Sequence, residues 1–303
     1  MTAVANPEKV AADAVAPSGI ARPLVRRRVR RGAIPFWIGV ALLAITVAGI
    51  VLVPLLPGYD PMTQDLSNAM LAPFTDPAHL LGTDPLGRDI LSRLALAGRT
   101  SLIIAAVVIA LNVAIGITIG LAAGYFGGLV DNVMTGIADI QLAMPFVLLL
   151  IALSAVFGPS TQLMVIMLGI TFWVGYGRVA RAMALSLRER EYVLAPKTQG
   201  AGAFWILRKH LLPAVLPQLI ILASFDVGVV VTAQAALDFL GLGVQPPTPS
   251  WGGMIAEGQK YLQSNVWLVV LPGLAMLLLI AGSQLTSRRF TAESGAGAPG
   301  ARS

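Results

Sequence analysis

Six stretches of this sequence, residues 34–56, 101–124, 132–157, 162–178, 215–237 and 266–285, are apolar runs almost free of charge. About 20 such residues in a helix cross the ~30 Å hydrocarbon core of a bilayer. Lipid offers no partner for backbone N–H and C=O groups, so a spanning segment must satisfy its own, as a helix does. The pattern predicts an all-α, polytopic membrane protein with six transmembrane helices. Apolar residues make up 56% of the chain and charged residues 12%, about half the charged share of a soluble domain. So few charges cannot cover a water-soluble globule of this size, and membrane lipid is the expected solvent.

The flanks read differently. Residues 1–33 are rich in Ala, Pro and Arg with no apolar period, which predicts a disordered cytosolic arm. Its arginines, six between Arg22 and Arg31, meet the uncharged run Ile34 to Leu56. Secretory signals have an apolar stretch of about 7–15 residues and a small-x-small cleavage site. This run is longer and ends in Val53-Pro54-Leu55-Leu56-Pro57, so a retained helix is expected. Residues 34–285 then form one membrane domain, and 286–303 a second disordered cytosolic tail. With the N-terminus inside, Lys and Arg fall in the cytoplasmic segments 9–31, 178–209 and 288–302, leaving only Arg88, Arg93, Arg99 and Lys260 outside. The positive-inside rule favours that orientation, with both termini cytoplasmic. The short loop Gly127 to Asp131, which has no Lys or Arg, is the one departure.

Several chemistries are disfavoured. Cysteine is absent, which removes disulfides and thiol nucleophiles. His79 and His210, the two histidines, are far apart in sequence, so no metal site is expected. The net charge of +6 is not arranged as a basic strip with stacking aromatics, so no nucleic-acid partner is expected. There is no Gly-x-x-x-x-Gly-Lys-Ser/Thr phosphate loop and no converging catalytic set, so the chain is expected to be neither an enzyme nor a cofactor carrier. The preference for Arg over Lys and the abundance of Ala and Gly point to a GC-rich bacterial genome, hence a bacterial cytoplasmic membrane.

Three loops carry patterned residues. Between spans four and five, about residues 188–213, Glu191 to Gly200 is followed by His210 and Leu211-Leu212-Pro213. A helix pair broken at Gly200 would make a compact knob, with small Ala195 allowing close approach. Pro196 should bend or restart the first helix, and Leu212-Pro213 should stop the second. An ordinary amphipathic loop is the other reading. Before span two runs His79-Leu80-Leu81-Gly82-Thr83-Asp84-Pro85-Leu86-Gly87-Arg88-Asp89-Ile90-Leu91-Ser92-Arg93. Asp84 suits an N-cap with Pro85 first in the helix, and Asp84/Arg88 and Asp89/Arg93 are spaced i, i+4 as helical ion pairs. That predicts a short interfacial helix. After span five, Ala235 to Gly252 is rich in Gly and Pro and reads as a tight surface or re-entrant loop, with Trp251 anchoring at the headgroups.

Together these motifs resemble the permeases of binding-protein-dependent ABC importers. Gly200 and Leu212-Pro213 fall at the spacing of the family's EAA loop, and His210 is typical of its peptide and nickel branch. The triplet itself reads Leu194-Ala195-Pro196. Leu81-Gly82-Thr83-Asp84, Gly87-Arg88-Asp89 and Ser92-Arg93 resemble the hallmark of the second permease subunit of oligopeptide, dipeptide and nickel importers. Phe239-Leu240-Gly241-Leu242-Gly243 and the following prolines are also similar, with Gln234 and Asp238 where the family carries Glu and Ser. The resemblance covers roughly residues 34–285. It implies the type I importer fold and a non-catalytic subunit that pairs with a homologous permease and two ATPase subunits, which carry the ATP and Mg. It also implies an extracytoplasmic substrate-binding protein and alternating access for peptides or a related solute such as a nickel chelate.

Asp139 and Asp226 lie inside spans three and five, where a carboxylate costs about 2.5 kcal/mol or more. Each reads as a path-lining group or a buried helix–helix hydrogen bond, the latter favoured for Asp139; Gln234 joins them as a path candidate. A rival function from another class is an ion-coupled secondary transporter using the two aspartates, against which stands the lack of an internal repeat or broken helix pair in the sequence. Gly116, Gly120 and Gly124 repeat every four residues, a stripe for close helix packing. Pro145 should kink span three.

Overall fold

The computed structural model describes residues 33–296. The arm over residues 1–32 and the end of the tail, 297–303, lie outside the described residues. Helix α1 (Ala33–Leu52) tightens into a 3₁₀ turn at Val53–Leu55, where Pro54 sits. An irregular segment rich in turns follows, and α2 (Ile90–Phe126) is one unbroken helix. After it come α3 (Gly128–Ala143), α4 (Phe146–Phe157), α5 (Thr161–Thr171), α6 (Trp173–Leu187), α7 (Glu191–Thr198) and α8 (Ala203–Ile206). The chain ends in α9 (Leu212–Phe239), α10 (Trp251–Gln259) and α11 (Trp267–Ala296). Among the described residues there is no β-strand, only two isolated bridges.

Five helical segments are long and apolar enough to cross a bilayer, and the bent pair α3–α4 makes a sixth if taken as one span. The expected kink in the third span is a full break of 81°. Proline disfavours helical backbone in the residue before it, and Met144, before Pro145, is extended at φ −98°, ψ 127°. The protein thus has a discontinuous helix pair, where the expectation was a kink in one helix. Two further expectations are corrected at the last helix and at Trp251. Helix α11 continues through Ala296, into the segment read as a disordered tail. Trp251 is no headgroup anchor: it is 2% exposed, and its indole N–H donates to the Leu94 carbonyl at 3.1 Å.

The centre of the bundle is α2, packed on α6, α9 and α5, while α1 lies along α11. The glycine stripe explains the first contact. A Cβ on Gly116 would strike Tyr176, one on Gly120 would strike Gly177, and one on Gly124 would come within 2.6 Å of the Ala184 Cβ. These glycines therefore serve packing within the chain. The apolar core runs through Ile90, Ile104, Val108, Leu150, Met164, Leu168, Leu237 and Trp251. A second cluster joins Leu121, Tyr176, Val193, Ile206, Leu211 and Val215 and seats the knob between α6 and α9.

Candidate functional site

The knob is built as two helices on a glycine. Helix α7 ends in a Schellman turn: Ala201 N–H donates to Pro196 C=O at 2.9 Å and Gly200 N–H to Lys197 C=O at 3.1 Å. Gly200 takes φ +87°, the left-handed region where only glycine sits without strain. Pro196 lies inside α7 without restarting it. Leu212-Pro213 does not stop the second helix either. A π-turn, Leu207–Leu211, carries α8 into α9, and this local change of hydrogen-bond pattern lets the helix run on past Pro213. Val193, not Ala195, makes the buried contact; Ala195 is exposed. His210 stacks edge-on to Trp205 at 5.0 Å and lies 6.1 Å from Tyr192. Tyr192, Leu194, Phe204 and Trp205 are left exposed at the tip.

At the opposite end of α2 the predicted interfacial helix does not form. Asp84 through Asp89 make a tight turn, bridged between Thr83 and Asp89, and α2 starts after Asp89, whose carboxylate accepts from Ser92 N–H at 2.8 Å. The cap is therefore Asp89 and not Asp84. Asp84 is instead the hub of a charge cluster. Its Oδ1 accepts from Leu86 and Arg88 N–H at 2.9 and 3.0 Å, and its Oδ2 from Arg88 Nε at 2.6 Å and Arg93 Nη1 at 2.7 Å. The Asp89–Arg93 pair is absent: Asp89 faces His79 at 3.2 Å, and Arg93 reaches Glu257 on α10 at 3.0 Å. Arg93 is 3% exposed. Burial pushes the Glu257 carboxyl up from its ordinary range, and Arg88 opposes the shift. Thr83 is fully buried; its hydroxyl donates to Asn68 C=O and accepts from Leu71 N–H. Gly82 and Gly87, both at positive φ, press against the Leu71 and Asp65 carbonyls.

Asp139 does not make the expected buried hydrogen bond. It is exposed and pairs with Arg178 of α6 at 3.0 Å. Asp131, one end of the loop that lacked a positive charge, finds its partner in Arg181, which donates through both Nε and Nη2. Asp226 is partly buried on α9, and the buried Tyr176 hydroxyl makes no hydrogen bond. Gln234 is enclosed between α9 and α2, its amide 3.3 Å from Ser101 Oγ and from Asp238 Oδ2, so it lies within helix packing. Asp238 also accepts from Val244 N–H at 2.7 Å, pinning the glycine loop that follows α9. No group of three potential metal ligands occurs among the described residues.

Glu257, Arg178, Arg181 and Gln141 were not foreseen. Gln141 closes the α5–α6 junction: its amide donates to Ile170 and Thr171 carbonyls at 2.5 and 2.8 Å and accepts from the Trp173 indole at 2.9 Å. A lone amide in an apolar run was the available signal. Removing one partner from such a set costs about 1–3 kcal/mol, so Gln141→Ala is expected to lower thermal stability in detergent by that amount. Ile140→Ala, a lost apolar side chain on the exposed face, should change it less; equal losses would refute the clamp.

Residues 116–291 match the family described as the inner membrane component of binding-protein-dependent transport systems. The chain is 36% identical over 245 residues to the dipeptide transport system permease protein DppC of Alkalihalophilus pseudofirmus, covering 81% of this chain and 80% of the relative. It is 42% identical over 232 residues to DppC of Escherichia coli, covering 75% and 77%. With the nickel transport system permease protein NikC of Escherichia coli it shares 38% over 227 residues, covering 75% and 81%. Nothing in these matches favours an ion-coupled transporter, and the broken pair α3–α4 does not revive one. The match over residues 116–291 and the identity to these permeases across most of the chain make it a multi-pass member of the binding-protein-dependent transport permease family.

Proposed function

We propose that the chain is the second permease of an ATP-driven importer for dipeptides or related small solutes, working beside a homologous permease and two ATPase subunits. The observation that carries the reading is its identity, across most of the chain, to permeases named for dipeptide and nickel transport. The knob suits the coupling role. It is a rigid unit seated on α6 and α9, with an exposed patch of Tyr192, Leu194, Phe204 and Trp205 that a cleft in an ATPase can grip. ATP and Mg belong to those subunits, and a binding protein delivers solute to the far side. Residues 34–285 are the permease domain and 188–213 the coupling loop, with the flanking arm and tail cytosolic. Leu194, Ala195, Pro196, Gly200, His210, Leu212 and Pro213 form the coupling set, and Gly82 to Arg93 the outer motif.

The test is uptake of a dipeptide into vesicles holding the complex purified through a tag on this chain. ATP inside an ATPase-bearing complex with a second permease should drive it, and an imposed proton or sodium gradient alone should not. Gradient-driven uptake without ATP would end this reading. Orientation is checked with single cysteines, since the chain has none. Ser92 and Ser250 are buried, so Thr63 and Thr248, both exposed, are the outer positions to use. Cysteine there should react with an impermeant thiol reagent in intact cells, whereas Thr198→Cys should react only after the membrane is opened.

A further inference from the structure

Two ion pairs join α3 to α6, and they are built differently. Asp131–Arg181 is closed: both carboxylate oxygens are engaged, and the aspartate side chain is 17% exposed. Asp139–Arg178 is open. One guanidinium nitrogen meets one carboxylate oxygen at 3.0 Å, and the two side chains are 62% and 54% exposed. A brace would use both oxygens and exclude solvent, as the first pair does.

Asp139 of the open pair lies inside the third apolar run, seven residues from its start at 132, about 10 Å along a helix axis, while Arg178 closes the fourth run, residues 162–178. Charges exposed to lipid there are strongly disfavoured and face water-filled cavities or protein instead. Following Asp139 in the chain, Ile140 and Met144 are exposed, Met144 at the α3–α4 break, while Gln141 is saturated by its own partners. The ensemble is an adaptable apolar surface with one spare carboxylate oxygen and several spare guanidinium N–H groups.

Resting on the importer reading, we propose that Asp139 and Arg178 form a way-station in the translocation path for a zwitterionic, peptide-like solute. The solute lies antiparallel to the pair, its ammonium on the Asp139 carboxylate and its carboxylate on the Arg178 guanidinium. Guanidinium and carboxylate match in planar, two-point fashion. Site and solute are each neutral overall, so their union leaves no uncompensated charge. The flexible Met144 and the flat Ile140 surface accept side chains of different shape. Terminal charges are recognised and side chains are tolerated.

The experiment uses the whole importer with its binding protein in vesicles and glycyl-leucine as the probe, reading peptide taken up per ATP hydrolysed. In Asp139→Asn/Arg178→Gln both positions keep a polar side chain but hold no charge. A tenfold or greater fall in that ratio, with the complex recovered intact, is the expected result. A ratio within twofold of the unaltered importer would show a mere brace and overturn the proposal. Loss of the second permease from the purified complex would show instead that the pair sits in the seam between permeases, and would overturn it equally. Ile140→Cys gives an independent reading: it should react with a charged, water-soluble methanethiosulfonate in the complex, and no reaction would mean a dry site. If the unaltered importer hydrolyses ATP yet never moves glycyl-leucine, the dipeptide reading fails by itself, before any variant is compared.

Discussion

ATP-driven uptake is expected to fall about tenfold or more in Gly200→Val, while the chain still inserts and folds. Space is not the obstacle, since a Cβ at Gly200 would meet nothing within 4 Å. Backbone conformation is. Gly200 holds φ +87° at the close of the α7 Schellman turn, and a β-branched residue held there is strained by about 1–3 kcal/mol. A penalty of that size lowers the population of the native turn by about 5- to 150-fold relative to its alternatives. Once the turn opens, α7 loses its fixed angle to α8, and the patch of Tyr192, Leu194, Phe204 and Trp205 no longer presents one face. The control lies two residues on: Gly202 has φ −68°, ψ 153°, which valine adopts freely, so Gly202→Val should transport normally. Full uptake by Gly200→Val, or equal loss in both variants, would remove the knob's geometry from the mechanism.

The second large effect is on stability. Asp84→Ala is expected to destabilise the protein by about 3–5 kcal/mol, because it strips the partner from buried charges. Arg93 is 3% exposed and Arg88 9%, and both donate to the same carboxylate oxygen. Only Glu257, half-exposed and at 3.0 and 3.6 Å, remains to answer them. Asp60→Ala, an exposed turn carboxylate of the same α1–α2 connection, should move stability by no more than about 0.5 kcal/mol. Thermal unfolding of the two variants in one detergent makes the comparison. Equal melting temperatures would mean that the cluster is ornamental.

These two sites mark where the sequence could and could not be read. Gly200 was legible because a local turn dictates its residue type. The membrane helices were legible because lipid imposes one length and one polarity, and the hydropathy runs found each of them to within a few residues at most ends. Asp84 and Arg88 were seen as a pair, yet i, i+4 spacing fits a carboxylate-closed turn as well as it fits a helix. Nothing local separates the two. Arg93 was matched to the near Asp89, although its second partner, Glu257, is 164 residues away. Long-range pairing leaves no spacing signature. The break at Met144–Pro145 was visible as a proline, but its 81° angle depends on α4 turning away into other contacts, such as Leu150 in the main core. Pro213 misled for a related reason. The helix runs through it because the π-turn from Leu207 locally changes the hydrogen-bond pattern just ahead of it.

The glycine stripe of α2 has a consequence at the level of the gene. Glycine codons share their first two bases, and the third is free, so any single-base change that alters the amino acid must add a side chain. At most positions in a lipid-facing helix such a change is absorbed, because one apolar residue replaces another. At Gly116, Gly120 and Gly124 even the smallest, to alanine, drives a methyl group into Tyr176, Gly177 or Ala184 of α6. The stripe is therefore a place where no point mutation is conservative. A saturation library selected for uptake should show it as three blank columns four residues apart, with permissive columns such as Ile103, Val107 and Leu111, exposed on the same helix, set against them.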